Sequence, residues 1–352
     1  MGNDVKQFMD CFETTPLVGK LSNECWGVAT VGTRDQDNGL EDKLIGTDAE
    51  GMRYCYWDGA ILKDDESGKY YMFASRWDQN LGHRGWGRSK AIYSVSDNLY
   101  GPYEDKGLVY PNICEGAGHN VCPFRLHEGE TYNGKPMKYG MVLSDTARSM
   151  RGAILVTDKL GGEWNFTGIM SVEQDRFALS NIGIIPTPDG KYLAYDRGGN
   201  IAVADKITGS WETKNERLFS KMEYLAGYGD VEDPVIWYSG GLFHCVVNRW
   251  DARRAYYMTS KNGIDDWKIH GGIAYIPEGD IINYADGTVN RWYKWERPNA
   301  YIENGEVKAI TFAVIDIPKE EEKGNDNHGS KIIVIPFNND KLKKLDESIY
   351  NG

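Results

Sequence analysis

Three acidic residues far apart in the chain stand in matching local settings: Asp58 in YWDGAIL, Asp233 in DVEDPVIWY and Glu296 in KWERPNAY. Each opens an apolar run that reads as a strand. Carboxyl groups gathered from distant segments suit proton transfer. Hydrolysis of a glycosidic bond needs one carboxyl to protonate the leaving oxygen and another to activate water or attack carbon. A third nearby can raise the pKa of the acid or fix its orientation.

Other residues in the same settings could hold a sugar. Arg76 and Arg249 occupy equivalent Arg-Trp-Asp triplets, and the repeated Asp78 and Asp251 suggest that each guanidinium is held by its own carboxylate; a structural pair and a ligand clamp fit this pattern equally. His83 lies in the glycine-rich stretch RWDQNLGHRGWG, where polar and aromatic side chains could line a pocket. His119 and Asn120 open another apolar run, and Arg297 follows Glu296. Trp57, Trp77, Trp250 and Trp295 could stack on sugar faces, although tryptophan in a strand is more often core. Glu232, next to Pro234, reads as a turn-stabilising acid. The run KEEEKGNDNHG after Pro318 reads as solvated surface.

What positions these residues is a repeat. WDGAILKDDESGKYYMFASRWDQN from Trp57 and EDPVIWYSGGLFHCVVNRWDAR from Glu232 share an acidic opening, an apolar strand, a glycine turn, a second apolar strand and Arg-Trp-Asp. Weaker copies begin at His119 (HNVCPFRL), Ser180 (SNIGIIPTPDGKYLAYDRGG) and Glu296 (ERPNAYIENGEVKAITFAVID). Taking Asp58, Asn120, Asn181, Asp233 and Arg297 as equivalent gives spacings of 62, 61, 52 and 64. Units of about 60 residues hold four short strands, the size of one propeller blade. The fold class read from this is all-β, a five-bladed β-propeller over residues 51–352, with 1–50 as an extension packing on it. The alternative of a β-sandwich or two stacked domains leaves the recurring polar residue at each first strand unexplained.

Composition narrows the partners. With 40 Lys and Arg against 52 Asp and Glu, the formal charge is −12, which repels a phosphate backbone, so no nucleic acid is expected. The 11 Trp, 22 Tyr and 10 Phe with 41 Gly suit short strands, tight turns and sugar stacking. No apolar stretch is long enough to span a membrane, and none is expected as a partner. The opening MGNDVKQFMDCF lacks the pattern of a leader. Six cysteines without a CxxC pair argue against a zinc ribbon or a thioredoxin-type site. Buried thiols are the reading, with a Cys114–Cys122 bridge as the alternative.

The motifs WDGAILKDDESGKYYMFAS, DKLGGEW, DKITGSW, EDPVIWY with TSKNGIDDW, and ERPNAYIENGEVKAITFAV together resemble the five-bladed glycoside hydrolases of families 43 and 117, over about residues 54 to 337. The resemblance implies an oligosaccharide substrate and an inverting reaction, with Asp58 as general base, Asp233 as the carboxylate that tunes and orients, and Glu296 as general acid. Two positions depart from those families: Asn181 stands where family 43 has a carboxylate, and Trp295 where family 117 has a histidine. The proton donor is therefore left among Glu296, Glu232 and His119. The resemblance further implies no organic cofactor and a calcium or similar ion on the propeller axis beside His328, for which a solvent-exposed histidine is the alternative. It also implies a periplasmic or secreted protein whose leader is absent from this sequence, with the cytoplasm as the alternative. Loops at 78–89 and in the fifth repeat suggest exo action. The rival functions are a lyase that neutralises a uronate with Arg76 or Arg249, and a non-catalytic carbohydrate-binding propeller.

Overall fold

The computed structural model describes residues 8–13, 54–101, 103–172, 177–221, 231–276, 282–283, 289–290, 292–315, 317–324 and 329–351. Five antiparallel sheets follow one another along the chain, and the spacing of the repeat is the spacing of the sheets. Blade 1 runs outward through Tyr54–Lys63, Tyr70–Asp78, Lys90–Ser96 and Glu104–Leu108. Blade 2 runs through Cys122–Arg125, Tyr139–Val142, Ala153–Thr157 and Asn165–Ile169. Blade 3 uses Gly183–Pro186, Tyr192–Tyr195, Ile201–Ala204 and Ser210–Asn215, with Ser171–Val172 added in parallel at its outer edge. Blade 4 uses Val231–Ser239, Leu242–Arg249, Arg254–Ser260 and Lys268–Tyr275. Blade 5 has three described strands, Lys294–Glu303, Glu306–Ile315 and Ser330–Pro336.

The turns are those the sequence demands. Asn304-Gly305 joins the first two strands of blade 5 with φ of 55° and 75°, and Gly240-Gly241 does the same in blade 4 with 58° and 89°. Both residues of each pair are left-handed, the two-residue turn whose twist matches the flanking strands.

Packing between blades explains why these strands read as nearly unbroken apolar runs. Neighbouring residues of a strand point to opposite faces, and each blade is covered on both. Ile184, Tyr192 and Ala194 face Phe124, Ile154 and Val156 of blade 2, whereas Leu193 and Tyr195 join Ile236, Cys245 and Met258 of blade 4. The seam between blades 1 and 5 is filled by Tyr56, Met72, Ile92, Tyr301 and Ile332.

Residues 8–13 pack on blades 4 and 5. Phe8 stacks on Tyr257 at 4.4 Å, and Phe12 bridges to Phe337. Beside them, Leu342 and Leu345 of the helix Asn339–Asn351 enter the same cluster. The remainder of the expected extension lies outside the described residues. Cys11, Cys55, Cys114, Cys122 and Cys245 are free thiols, so the bridge between Cys114 and Cys122 is not formed; Cys25 lies outside the described residues. No helix among the described residues is long and apolar enough to cross a membrane.

Candidate active site

The five residues taken as equivalent in the repeat share one backbone conformation. Asp58 (φ 75°), Asn120 (58°), Asn181 (49°), Asp233 (52°) and Arg297 (50°) are all left-handed. Pairing to the second strand slips at this point in three blades, between Asp58 and Ala60, Glu232 and Val235, and Glu296 and Asn299. A bulge of this kind re-aims a side chain out of the strand's alternation, and here it turns each one toward the axis. Left-handed φ costs a non-glycine residue energy and is tolerated best by Asn and Asp, which supply four of the five.

These side chains bond to one another. Arg297 donates from Nε to Asp58 Oδ1 at 3.1 Å and from Nη1 to Asp233 Oδ1 at 3.5 Å. Asn181 Nδ2 donates to Asp233 Oδ1. Asn120 Nδ2 donates to Asp145 Oδ2 at 2.6 Å, which also accepts from the Asn181 amide at 3.2 Å. Asp58 Oδ2 accepts from Ser75 Oγ and, at 3.0 Å, from the Val121 amide.

Above this network opens a cavity of about 360 Å³ lined by His83, Trp86, His119, Asn120, Arg197, Glu232, Asp233, Glu296 and Lys319, among others. Glu232, Asp233 and Glu296 bring carboxylate oxygens within 4.8 Å of one another. Their surroundings differ. Glu296 is buried and forms ion pairs with Lys294 Nζ at Oε1 (2.5 Å) and Lys319 Nζ at Oε2. Burial works to raise its pKa, but the two ammonium groups bring it down to about 2. At Asp233, burial together with the charges of Glu232 and Glu296 outweighs Arg297 and pushes the carboxyl up to about 8. Burial and Glu296 also raise Glu232, against the Lys319 ammonium and the Arg197 guanidinium 2.9 Å away. His119 and His83 are pushed down by burial and are neutral at pH 7.

The expected site residues fall in different surroundings. Asp58 is fully buried, takes three hydrogen bonds and does not line the cavity. Glu296, expected as proton donor, faces two ammonium groups that drive it toward the charged form. Arg297 is a buried strut between blades and does not reach the cavity. Arg76 does not pair with Asp78. It binds Asp105 at 2.6 Å and lies over the Tyr54 ring, while Asp78 caps the turn at Asn80. Arg249 does pair with Asp251, at 2.8 Å. Neither arginine lines the cavity. Trp77 and Trp295 are core residues, Trp295 packing on Tyr275 and Phe312. His83, His119 and Asn120 do line it. The aromatic platform is Trp86, 42% exposed and 5.0 Å from the His119 ring.

Sequence reasoning passed over Asp145, Arg197, Lys294 and Lys319. None stands at the recurring position marked by Asp58, Asn120, Asn181, Asp233 and Arg297, so the repeat gave no signal for them.

His328 lies outside the described residues. Among the described residues, the three close carboxylates are already balanced by Lys294, Lys319, Arg197 and Arg297, so this cluster does not suit a cation.

The fold and this cavity define a five-bladed β-propeller with acidic chemistry at the heads of its axial strands. No family model matches the chain, and no curated protein matches it in sequence. Solved structures match in fold. A protein described as a glycoside hydrolase superposes with a TM-score of 0.51 at 13% identity over 80% of this chain. This chain spans 59% of that protein. Zg3597, described as a family 117 glycoside hydrolase from the marine bacterium Zobellia galactanivorans, gives 0.50 at 12% identity over 80% of this chain and 84% of its own. The β-xylosidase RS223 gives 0.51 at 13%, over 81% and 94%.

Proposed function

We propose that the chain is a glycoside hydrolase acting on an oligosaccharide, with Glu232 as the proton donor. The observation that carries this is the split among three adjacent carboxylates: Glu296 is driven toward the charged form, while Glu232 and Asp233 are driven toward the protonated form. Carboxyl groups whose surroundings push their pKa values apart are the arrangement that acid and base roles require. Of the two groups driven toward the protonated form, Asp233 is tied to Arg297 and Asn181, whereas Glu232 is only half-buried and faces the cavity. Asp233 then keeps its expected role of orienting and tuning. Trp86 offers a face for a sugar ring at the rim.

Two carboxylates compete for the role of base. Glu296 lies within 4.8 Å of Glu232, closer than the 6.5–9.5 Å that leaves room for water in an inverting enzyme. Asp58, behind Arg297, keeps the inverting reading. The anomer of the first-formed product, followed by NMR, decides between retention through Glu296 and inversion through Asp58.

The neighbours named above include a xylosidase and a family 117 enzyme, so the first panel should hold xylosides, arabinofuranosides, galactosides and anhydro-galactosides. Release of reducing sugar from none of a broad panel would refute the proposal. Products absorbing in the near ultraviolet would turn it to a lyase, a reading weakened by Arg76 and Arg249 lying away from the cavity.

A further inference from the structure

Lys319 belongs to the charged run that reads as solvated surface, yet its ammonium enters the cavity. It pairs with Glu296 Oε2 and sits 4.8 Å from the centroid of the Trp57 ring. Its side chain is 23% exposed. The loop that carries it is fixed on both sides. The amides of Glu321 and Glu322 donate to the Pro318 carbonyl at 2.9 and 3.3 Å, and the His83 amide of blade 1 donates to the Glu322 carbonyl at 3.3 Å. The two loops meet with no room for a side chain. A Cβ on Gly82 would lie 2.6 Å from the Glu322 carbonyl oxygen, and one on Gly324 would lie 2.5 Å from that of Asn80. Both glycines are left-handed, at φ +64° and +82°. The ammonium is thus held by an interlock between the first and last blades.

Among the described residues, Glu296 faces Lys294 from its own strand, Lys319 from the loop, Glu232, Asp233 and Tyr275 from blade 4, and the neutral His83 from blade 1. One buried carboxylate with one ammonium per oxygen is well matched, and two further acids stand beside it. We infer that Lys319 is a positioning residue: from its locked loop it keeps the proton of the three-carboxylate cluster off Glu296 and on the Glu232 and Asp233 side. What the proton is used for rests on the glycosidase reading; where it sits does not.

The test is a carbon-13 NMR titration of the full chain labelled at the glutamate side-chain carboxyl. The resonances of Glu296 and Glu232 are assigned by their loss in Glu296→Gln and Glu232→Gln. In Lys319→Met the Glu296 midpoint should rise by about 1–3 pH units, the range for removing an opposite charge at contact, and the gap between the Glu296 and Glu232 midpoints should narrow. Lys319→Arg should restore both. Gly324→Ala, which alters no charge, should move both in the same direction by pushing the loops apart, and it carries the test if Lys319→Met does not fold. Folded variants whose Glu296 midpoint stays at the wild-type value would overturn the inference. Shifted midpoints in a protein that cuts no glycoside would refute the glycosidase reading and leave Lys319 in its role.

Discussion

The two ends of the propeller axis differ in the wrong direction for a reader who ranks cavities by size. Where the axial strands begin, the opening holds about 360 Å³. Where they finish, a funnel of about 820 Å³ is walled by Leu62, Leu126, Ile185, Tyr238 and Ile302, with Phe124 and Tyr301 buried at its floor. The larger space carries its charges on the rim, as Lys63–Glu303 and Arg125–Asp65 pairs that tie neighbouring blades. The smaller one carries buried charges on left-handed backbone. Room for a ligand and the means to transform it have separated, and the strain marks the second.

Four experiments would break or sharpen that contrast. The largest effect belongs to Glu232→Gln, expected to lower kcat by about 10²–10⁴ on substrates with poor leaving groups, as for loss of a general acid. The loss should shrink with acidic phenol leaving groups. An equal loss for all leaving groups would return the donor role to another residue, with His119→Ala the next variant to measure.

Arg297→Met comes second. It leaves Asp58 and Asp233 buried beside each other without their cation, and should destabilise the fold by about 3–5 kcal/mol in urea unfolding. Arg125→Met at the opposite rim, where Asp65 is well exposed, should cost under about 1 kcal/mol. Equal costs would abolish the distinction between the ends.

Third is pH. Asp233 holds a proton in the folded state up to about pH 8, whereas the unfolded carboxyl releases it near 3.9. The unfolded state therefore binds fewer protons between those values, and stability should fall as pH rises across that window and level off above it. Glu296 acts in the opposite direction, its contribution being lost as pH drops from about 4 toward 2. Asp233→Asn should flatten the decline between pH 5 and 8, read from urea midpoints. An unchanged slope would mean that Asp233 is ionised throughout.

The smallest effect is expected from Ile185→Gln in the wall of the larger funnel, which should leave kcat/KM within about twofold, as for a half-exposed position away from the chemistry. A large loss there would make the funnel part of the active site.

The architecture was legible because one structural demand recurs. Every blade needs an apolar pair of strands, a tight turn and a polar residue that can adopt left-handed φ at its head, and a demand made five times leaves a period even where Asp, Asn and Arg alternate in filling it. The charged partners escaped for the converse reason. Arg197, Lys294 and Lys319 are each needed once, by a particular carboxylate, and a charged side chain looks the same in sequence whether it meets water or Glu296. The misplaced tryptophans have a physical source too. Trp77 and Trp295 sit in strands whose two faces are both covered, whereas Trp86, on the turn His83–Arg88, is exposed at the cavity and Trp57 lines it from a buried position.

Arg297 also sets an order on synthesis. The cation that neutralises Asp58 is encoded 239 residues downstream, in the fifth repeat. Until then the first four repeats hold a buried acid without its counter-charge, together with the exposed apolar edge that blade 5 will cover. A nascent chain that has not yet made the fifth repeat therefore lacks both the partner of Asp58 and the cover for that edge, and closure of the ring waits for it.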